Sequence, residues 1–242
     1  MGSVDSVNPR PAWKKTELFG LLMMLAGAGT FAALIAQLST PSFQTFDDSI
    51  IRSLRSAKDP ATPIGPGWFQ ELARDFTALG GYGVLTTITV LVTTFLHLER
   101  RPTRAHFVVV AVVAGYTLSM ILKALVARPR PHIVPWLSYV HSSSFPSGHS
   151  MMSAVVYLSL GLMLSDLTSR RRVKTFVVVA PLTVSAMVGF SRVYMGVHYP
   201  SDVAAGWCLG VAWSLACWLA VRRWRAFREV RKVLSAENQN AT

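Results

Sequence analysis

Between two strongly apolar stretches the chain places Ser191, Arg192, His198 and Asp202 within twelve residues. A neutral imidazole can attack an electrophile, and a nearby carboxylate fixes its tautomer and stabilises the cation that forms as it attacks. Asp202 is spaced to serve His198 in this way. Arg192 adds a planar cation suited to an oxyanion with several oxygens. Together these types point to phosphoryl transfer, with a histidine nucleophile beside a phosphate clamp.

Two more constellations carry matching chemistry. Lys123-Ala-Leu-Val-Ala-Arg128-Pro-Arg130-Pro131 sets three cations at the end of an apolar run, where they can neutralise a phosphate; a snorkelling lysine and a lipid-binding arginine are the plainer readings of each alone. Ser144-Phe145-Pro146-Ser147-Gly148-His149 runs directly into the next apolar run. Pro146 suits a first helical turn, which leaves the N–H groups of Ser147 and Gly148 free for an anion at the positive helix end. His149 beside that anion can donate a proton to a leaving oxygen, or simply cap polar backbone at an interface. His97 and His106 fall on the basic side and His132 and His141 lack a carboxylate partner, so none is given a role.

The elements that must position these groups are apolar helices. Of 242 residues 51% are hydrophobic and 15% charged, a balance that favours a bilayer over water as solvent. Apolar runs at 18–38, 82–98, 107–126, 151–164, 176–190 and 203–221 approach the ~20 residues a helix needs to cross hydrocarbon. The pattern predicts an all-α bundle of six transmembrane helices, with the fourth and fifth spans widened to 149–166 and 174–191, forming a single domain over 1–242. The first run lacks a small-x-small cleavage pattern and is read as a helix. The segment over about 40–80 reads as an outer loop, with turn formers around Asp59–Gly67 and Trp68, Phe69 and Phe76 suited to the membrane interface. It either covers the site or only connects spans.

Sixteen of the 24 Lys and Arg fall on one side: Arg10, Lys14 and Lys15; Arg100, Arg101 and Arg104; Arg170, Arg171, Arg172 and Lys174; and six between Arg222 and Lys232. The positive-inside rule then predicts cytoplasmic termini and puts the three constellations on the outer face. The net charge of +12 is divided among juxtamembrane loops, which fits anionic lipid head groups and argues against nucleic-acid binding. Cys208 and Cys217 are nine residues apart on one run, too far for a disulfide at ~1.5 Å rise per residue.

Lysine, six residues, arginine-proline; then Pro146-Ser147-Gly148-His149; then Ser191-Arg192, five residues, His198, three residues, Asp202: this three-part pattern resembles the signature of the type 2 phosphatidic acid phosphatase family at every defining position, and the six spans resemble its integral membrane branch. The resemblance implies that His198 forms a phosphohistidine, that Asp202 orients it, and that His149 protonates the leaving group and then activates water. It implies that Lys123, Arg130, Arg192, Ser147 and the Gly148 N–H hold the phosphoryl oxygens, with Ser191 in support and Arg128 outside the core set. No metal or other cofactor is expected, since three cations and a helix N-terminus supply the charge stabilisation. The implied activity is removal of a terminal phosphate from a lipid phosphate or diphosphate, of the phosphatidate, phosphatidylglycerophosphate, undecaprenyl pyrophosphate or lipid A type, at the extracytoplasmic face of a bacterial inner membrane. Lipid-to-lipid phosphotransfer and non-catalytic anion or lipid transport are the alternatives.

Overall fold

The computed structural model describes residues 12–140 and 142–240, so Arg10 and His141 lie outside the described residues. Apart from one isolated bridge between Arg55 and Pro63, the regular structure among the described residues is helical. α1 (Lys15–Gln37) starts where the Glu17 carboxylate accepts from the Lys14 backbone N–H at 3.2 Å, a negative group at the positive helix end. α2 (Pro41–Ser53) and α5 (Pro102–Val126) each start on a proline, at the position whose missing N–H has no helical partner to lose. α5 stops at Ala127, a left-handed cap with φ 47°, and Pro129 then cannot continue the helix.

α3 (Gly67–Leu79) and α4 (Tyr82–Leu98) are separated by Gly80 and Gly81 and bent by 45°. α6 (Gly148–Ser153), a π-helical turn at Ala154–Leu158 and α7 (Ser159–Ser165) form one continuous span, followed by α8 (Arg171–Tyr194) and α9 (Pro200–Asn240). Five of these spans are long and apolar enough to cross a membrane, and six when the bent α3–α4 pair counts as one. The expected second span over 82–98 is α4; at 17 residues it falls short of a full crossing and is extended by α3 through the bend.

The segment expected as an outer loop is different: it holds α2 and α3, with turns confined to 54–66. Apolar and charged residues alternate at helical spacing in α2, so one face buries Ile51 completely while the helix as a whole is too polar to read as a span. Trp68 is largely exposed, and Phe69 packs edge-on against Tyr194 at 5.1 Å.

Within lipid, apolar surface gains little from leaving its solvent, so helices associate through close packing and hydrogen bonds. Gly206 and Gly210, four residues apart on α9, let α6 approach closely. A Cβ at Gly206 would stand 2.7 Å from the Ser147 carbonyl oxygen, and one at Gly210 the same distance from that of Met151. α6 therefore rests directly on α9. Phe145, fully buried and stacked on Phe31 at 5.8 Å, ties the segment before α6 to α1.

The two ends of the bundle differ. At one, Arg222 pairs with Glu17 of α1 at 3.4 Å and with Asp166 beyond α7 at 3.1 Å, and Arg100, Arg101 and Arg104 gather with Arg225, Arg228 and Lys232. At the other lie the end of α5 and the starts of α6 and α9.

Candidate active site

The sequence segments converge at that second end. Lys123 occupies the last turn of α5, Gly148 and His149 the first turn of α6, Arg192 the last turn of α8 and Asp202 the first turn of α9. His198 lies in the short connection from α8 to α9. Lys123, Arg130, Arg192, His198 and Asp202 are all buried, and His149 is half-buried.

The contacts of His198 fix its tautomer. Its Nε2 faces Arg130 Nη1 at 3.1 Å, and a guanidinium nitrogen can only donate, so Nε2 is the acceptor and the ring proton belongs on Nδ1. Nδ1 in turn faces Asp202 Oδ2 at 3.4 Å. Burial, then the positive charges of Arg130, Arg192 and Lys123, hold this imidazole well below its ordinary titration range. The ring is neutral at physiological pH, with a lone pair on the nitrogen that faces the cations.

Backbone and hydroxyl oxygens, rather than carboxylates, hold the three cations. Lys123 Nζ donates to the Ser143 carbonyl at 2.6 Å, and Arg130 donates to the Ser142 and Val197 carbonyls at 2.8 and 2.6 Å. Arg192 Nη1 donates to Thr77 Oγ1 at 3.1 Å while its buried Nε has no partner. Among the described residues none of the three is ion-paired with a carboxylate, so their charge remains available to an anion. Burying cations without counter-charge is costly, and an oxyanion among them would relieve that cost.

Three details differ from the sequence expectation. Ser147 is the cap and α6 begins at Gly148, so Pro146 precedes the helix. The Ser147 N–H is not free, because it donates to the Asp202 carbonyl at 2.9 Å, and its Oγ accepts from Ser150 Oγ at 3.0 Å. The orphan donors of the helix start are those of Gly148 and His149. Ser191, expected among the phosphate-binding groups, donates to the Val188 carbonyl at 2.7 Å and to Thr77 at 2.9 Å. It faces α3 and shares Thr77 with Arg192.

Other residues belong to the site that the motifs did not single out. Arg128 bridges two fully buried carboxylates, Asp202 at 2.6 Å and Asp47 of α2 at 2.9 Å, while lying over the Tyr199 ring at 4.1 Å. Burial works against this guanidinium charge, but Asp202 and Asp47 outweigh it and raise its pKa. Asp47 also accepts from the Ser201 N–H at 3.0 Å and from the Ser201 hydroxyl. Arg128 thus holds Asp202 Oδ1 from behind, while Oδ2, which accepts from the Tyr199 N–H at 3.0 Å, is the oxygen that faces His198. Among the described residues, no three His, Cys, Asp or Glu are grouped to hold a metal ion.

A model of the PAP2 superfamily matches residues 104–226, half of the chain and all three motifs. The chain belongs to the PAP2 superfamily. Phosphatidylglycerophosphatase B of Bacillus subtilis is 30% identical over 182 residues, covering 75% of this PAP2 protein and 86% of the relative. An undecaprenyl-diphosphatase of Sulfolobus acidocaldarius is 28% identical over 133 residues, covering 53% and 60%. The crystal structure of a transmembrane PAP2 type phosphatidylglycerolphosphate phosphatase from Bacillus subtilis superposes with a TM-score of 0.73 at 28% identity, covering 81% of this chain and 94% of that one. These relatives are lipid phosphatases, and this PAP2 protein is of their enzyme class.

Proposed function

We propose that this PAP2 protein removes the terminal phosphate from a lipid phosphate or diphosphate through a phosphohistidine at His198, without a metal ion, at the extracytoplasmic face of a bacterial inner membrane. The observation that carries the reading is the neutral His198, its Nδ1 on Asp202 and its Nε2 turned toward a cluster of cations that have no carboxylate partners.

In this mechanism Nε2 attacks the terminal phosphorus, forming the P–N bond as the P–O bond to the lipid breaks. Lys123, Arg130 and Arg192, with the Gly148 N–H, hold the equatorial oxygens, on which charge accumulates in a loose transition state. His149 gives its proton to the departing oxygen. Asp202 stabilises the imidazolium as Nε2 becomes bonded to phosphorus, and Arg128 and Asp47 keep Asp202 in place. His149, now neutral, takes a proton from water, which attacks the phosphorus; inorganic phosphate leaves and His198 is restored.

The names of the relatives support phosphatidylglycerophosphate and undecaprenyl diphosphate as first substrates to try, with phosphatidate and lipid A beside them. The basic end of the bundle, placed at the cytoplasmic surface, supports an outward-facing site.

The test is phosphate release from these four lipids by purified protein in detergent with excess EDTA, comparing wild type with His198→Ala. Release that survives EDTA and disappears in the variant is expected. A fully active His198→Ala, or activity restored only by added magnesium, would sink the mechanism.

A further inference from the structure

The three motifs lie within residues 123–202, yet one wall of the site comes from the bend between α3 and α4. Thr77, in the last turn of α3, accepts from Arg192 and Ser191. Gly80 follows, and a Cβ there would overlap Val188 Cγ1 and press on His149 Cβ at 3.2 Å and Cδ2 at 3.3 Å, so a side chain at this position would push the bend away from α8 and the ring. Two residues on, Tyr82 opens α4 with its ring centroid 6.1 Å from that of His149 and edge-on to Tyr116 at 5.4 Å.

The hydroxyl of Tyr82 is the informative atom. A Cβ added to Gly148 would stand 3.0 Å from it and 3.5 Å from Lys123 Cε. It therefore reaches the start of α6, where the Gly148 N–H is an orphan donor, and lies within electrostatic reach of Arg130 and Arg192. Among the described residues this hydroxyl makes no hydrogen bond. Tyrosine at a membrane interface is common and explains the ring, which is 45% exposed. An interfacial role would turn the hydroxyl to water or head groups; here it turns inward, to the helix end beside three cations.

We propose that Tyr82 is a further substrate-binding residue: its hydroxyl donates a hydrogen bond to the phosphoryl group held by Lys123, Arg130 and Arg192, on the side where His149 stands. This rests on the phosphatase reading above. Gly148 then has a second reason to lack a side chain, because any Cβ would press on the Tyr82 hydroxyl. The half-exposed ring, between His149 and the outside, lines the side from which the lipid part of the substrate extends.

The test is Tyr82→Phe, measured in detergent for turnover of phosphatidylglycerophosphate, for inhibition by inorganic phosphate and for melting temperature, with Tyr116→Phe as control. Phenylalanine keeps both ring contacts, so the melting temperature should not move. A hydrogen bond to a charged oxyanion is lost, so KM and the inhibition constant of phosphate should rise together by roughly tenfold to a hundredfold, while Tyr116→Phe leaves both unchanged. Wild-type constants in Tyr82→Phe, with wild type itself turning over, would remove Tyr82 alone. A fall in melting temperature that accounts for the lost activity would make its role structural and overturn the inference. A wild type that neither releases phosphate nor is inhibited by it would bring down the phosphatase reading and this inference with it.

Discussion

His198 combines complete burial with three neighbouring cations, and the consequence extends beyond nucleophilicity to stability. Its folded-state pKa is depressed below the unfolded value of ~6.5, so below that pH the unfolded chain takes up a proton that the native ring refuses. Unfolding is then favoured by about 1.4 kcal/mol per pH unit until the native pKa is reached. Above ~6.5 neither state holds the proton and the effect vanishes. His198→Gln removes this linkage, so its melting temperature should gain on that of wild type as pH falls from 7 to 5; a constant difference would show that the ring titrates normally. The chemistry of His198, Asp202 and Arg192 was legible because their types and spacing are local in the chain. The Arg128–Asp47 pair was not, since its members are 81 residues apart and Asp47 lies on a helix with no motif of its own. Arg128 is a cation beside a stronger candidate, Arg130, and only the fold reveals that it braces Asp202 from behind.

α6 and α9 must meet at a fixed height for Gly148 and His149 to face His198, and Gly206 and Gly210 set that height. A side chain at Gly210 would place a Cβ 2.7 Å from the Met151 carbonyl oxygen and 2.8 Å from Ala154 Cβ, both on the backbone or stem of the opposing span. Neither can swing aside, so Gly210→Val should drive α6 off α9, stretch the Ser147 to Asp202 bond and lower kcat by about a hundredfold, the scale of a 1 Å misplacement. Gly29→Ala on α1, where nothing lies within 4 Å, should leave kcat unchanged. Equal activity in both variants would separate α6–α9 packing from catalysis. The long apolar helices were readable because period and length speak together. α2 and α3 were hidden by composition: their charged residues lie close to Pro and Gly, which suggests a loop until helical spacing is set against a partner surface. The 45° bend between α3 and α4 was likewise beyond a hydropathy reading, which registers apolar length but not direction.

At the scale of the whole molecule, the two ends of the bundle carry different chemistry, and a bilayer gives each end a side. The end built from Glu17, Asp166, Arg100–Arg104 and Arg222–Lys232 is dense in cations whose translocation is disfavoured and which anionic lipid attracts by ~1 kcal/mol each. The end with His198 keeps its cations buried, where they cannot act as surface anchors and, in the proposed mechanism, hold the phosphoryl group instead. Orientation therefore decides which leaflet supplies the substrate. With Cys208 and Cys217 replaced by alanine, a cysteine at Tyr139, which is 98% exposed near the site, should react in intact cells with a membrane-impermeant maleimide. A cysteine at the exposed Leu167, between α7 and α8 beside Asp166, should react only after the membrane is opened. The reverse pattern would place His198 in the cytoplasm, and the substrate would then have to come from the inner leaflet. Labelling at both positions in intact cells would mean that the chain inserts both ways, and activity would then be shared between the leaflets.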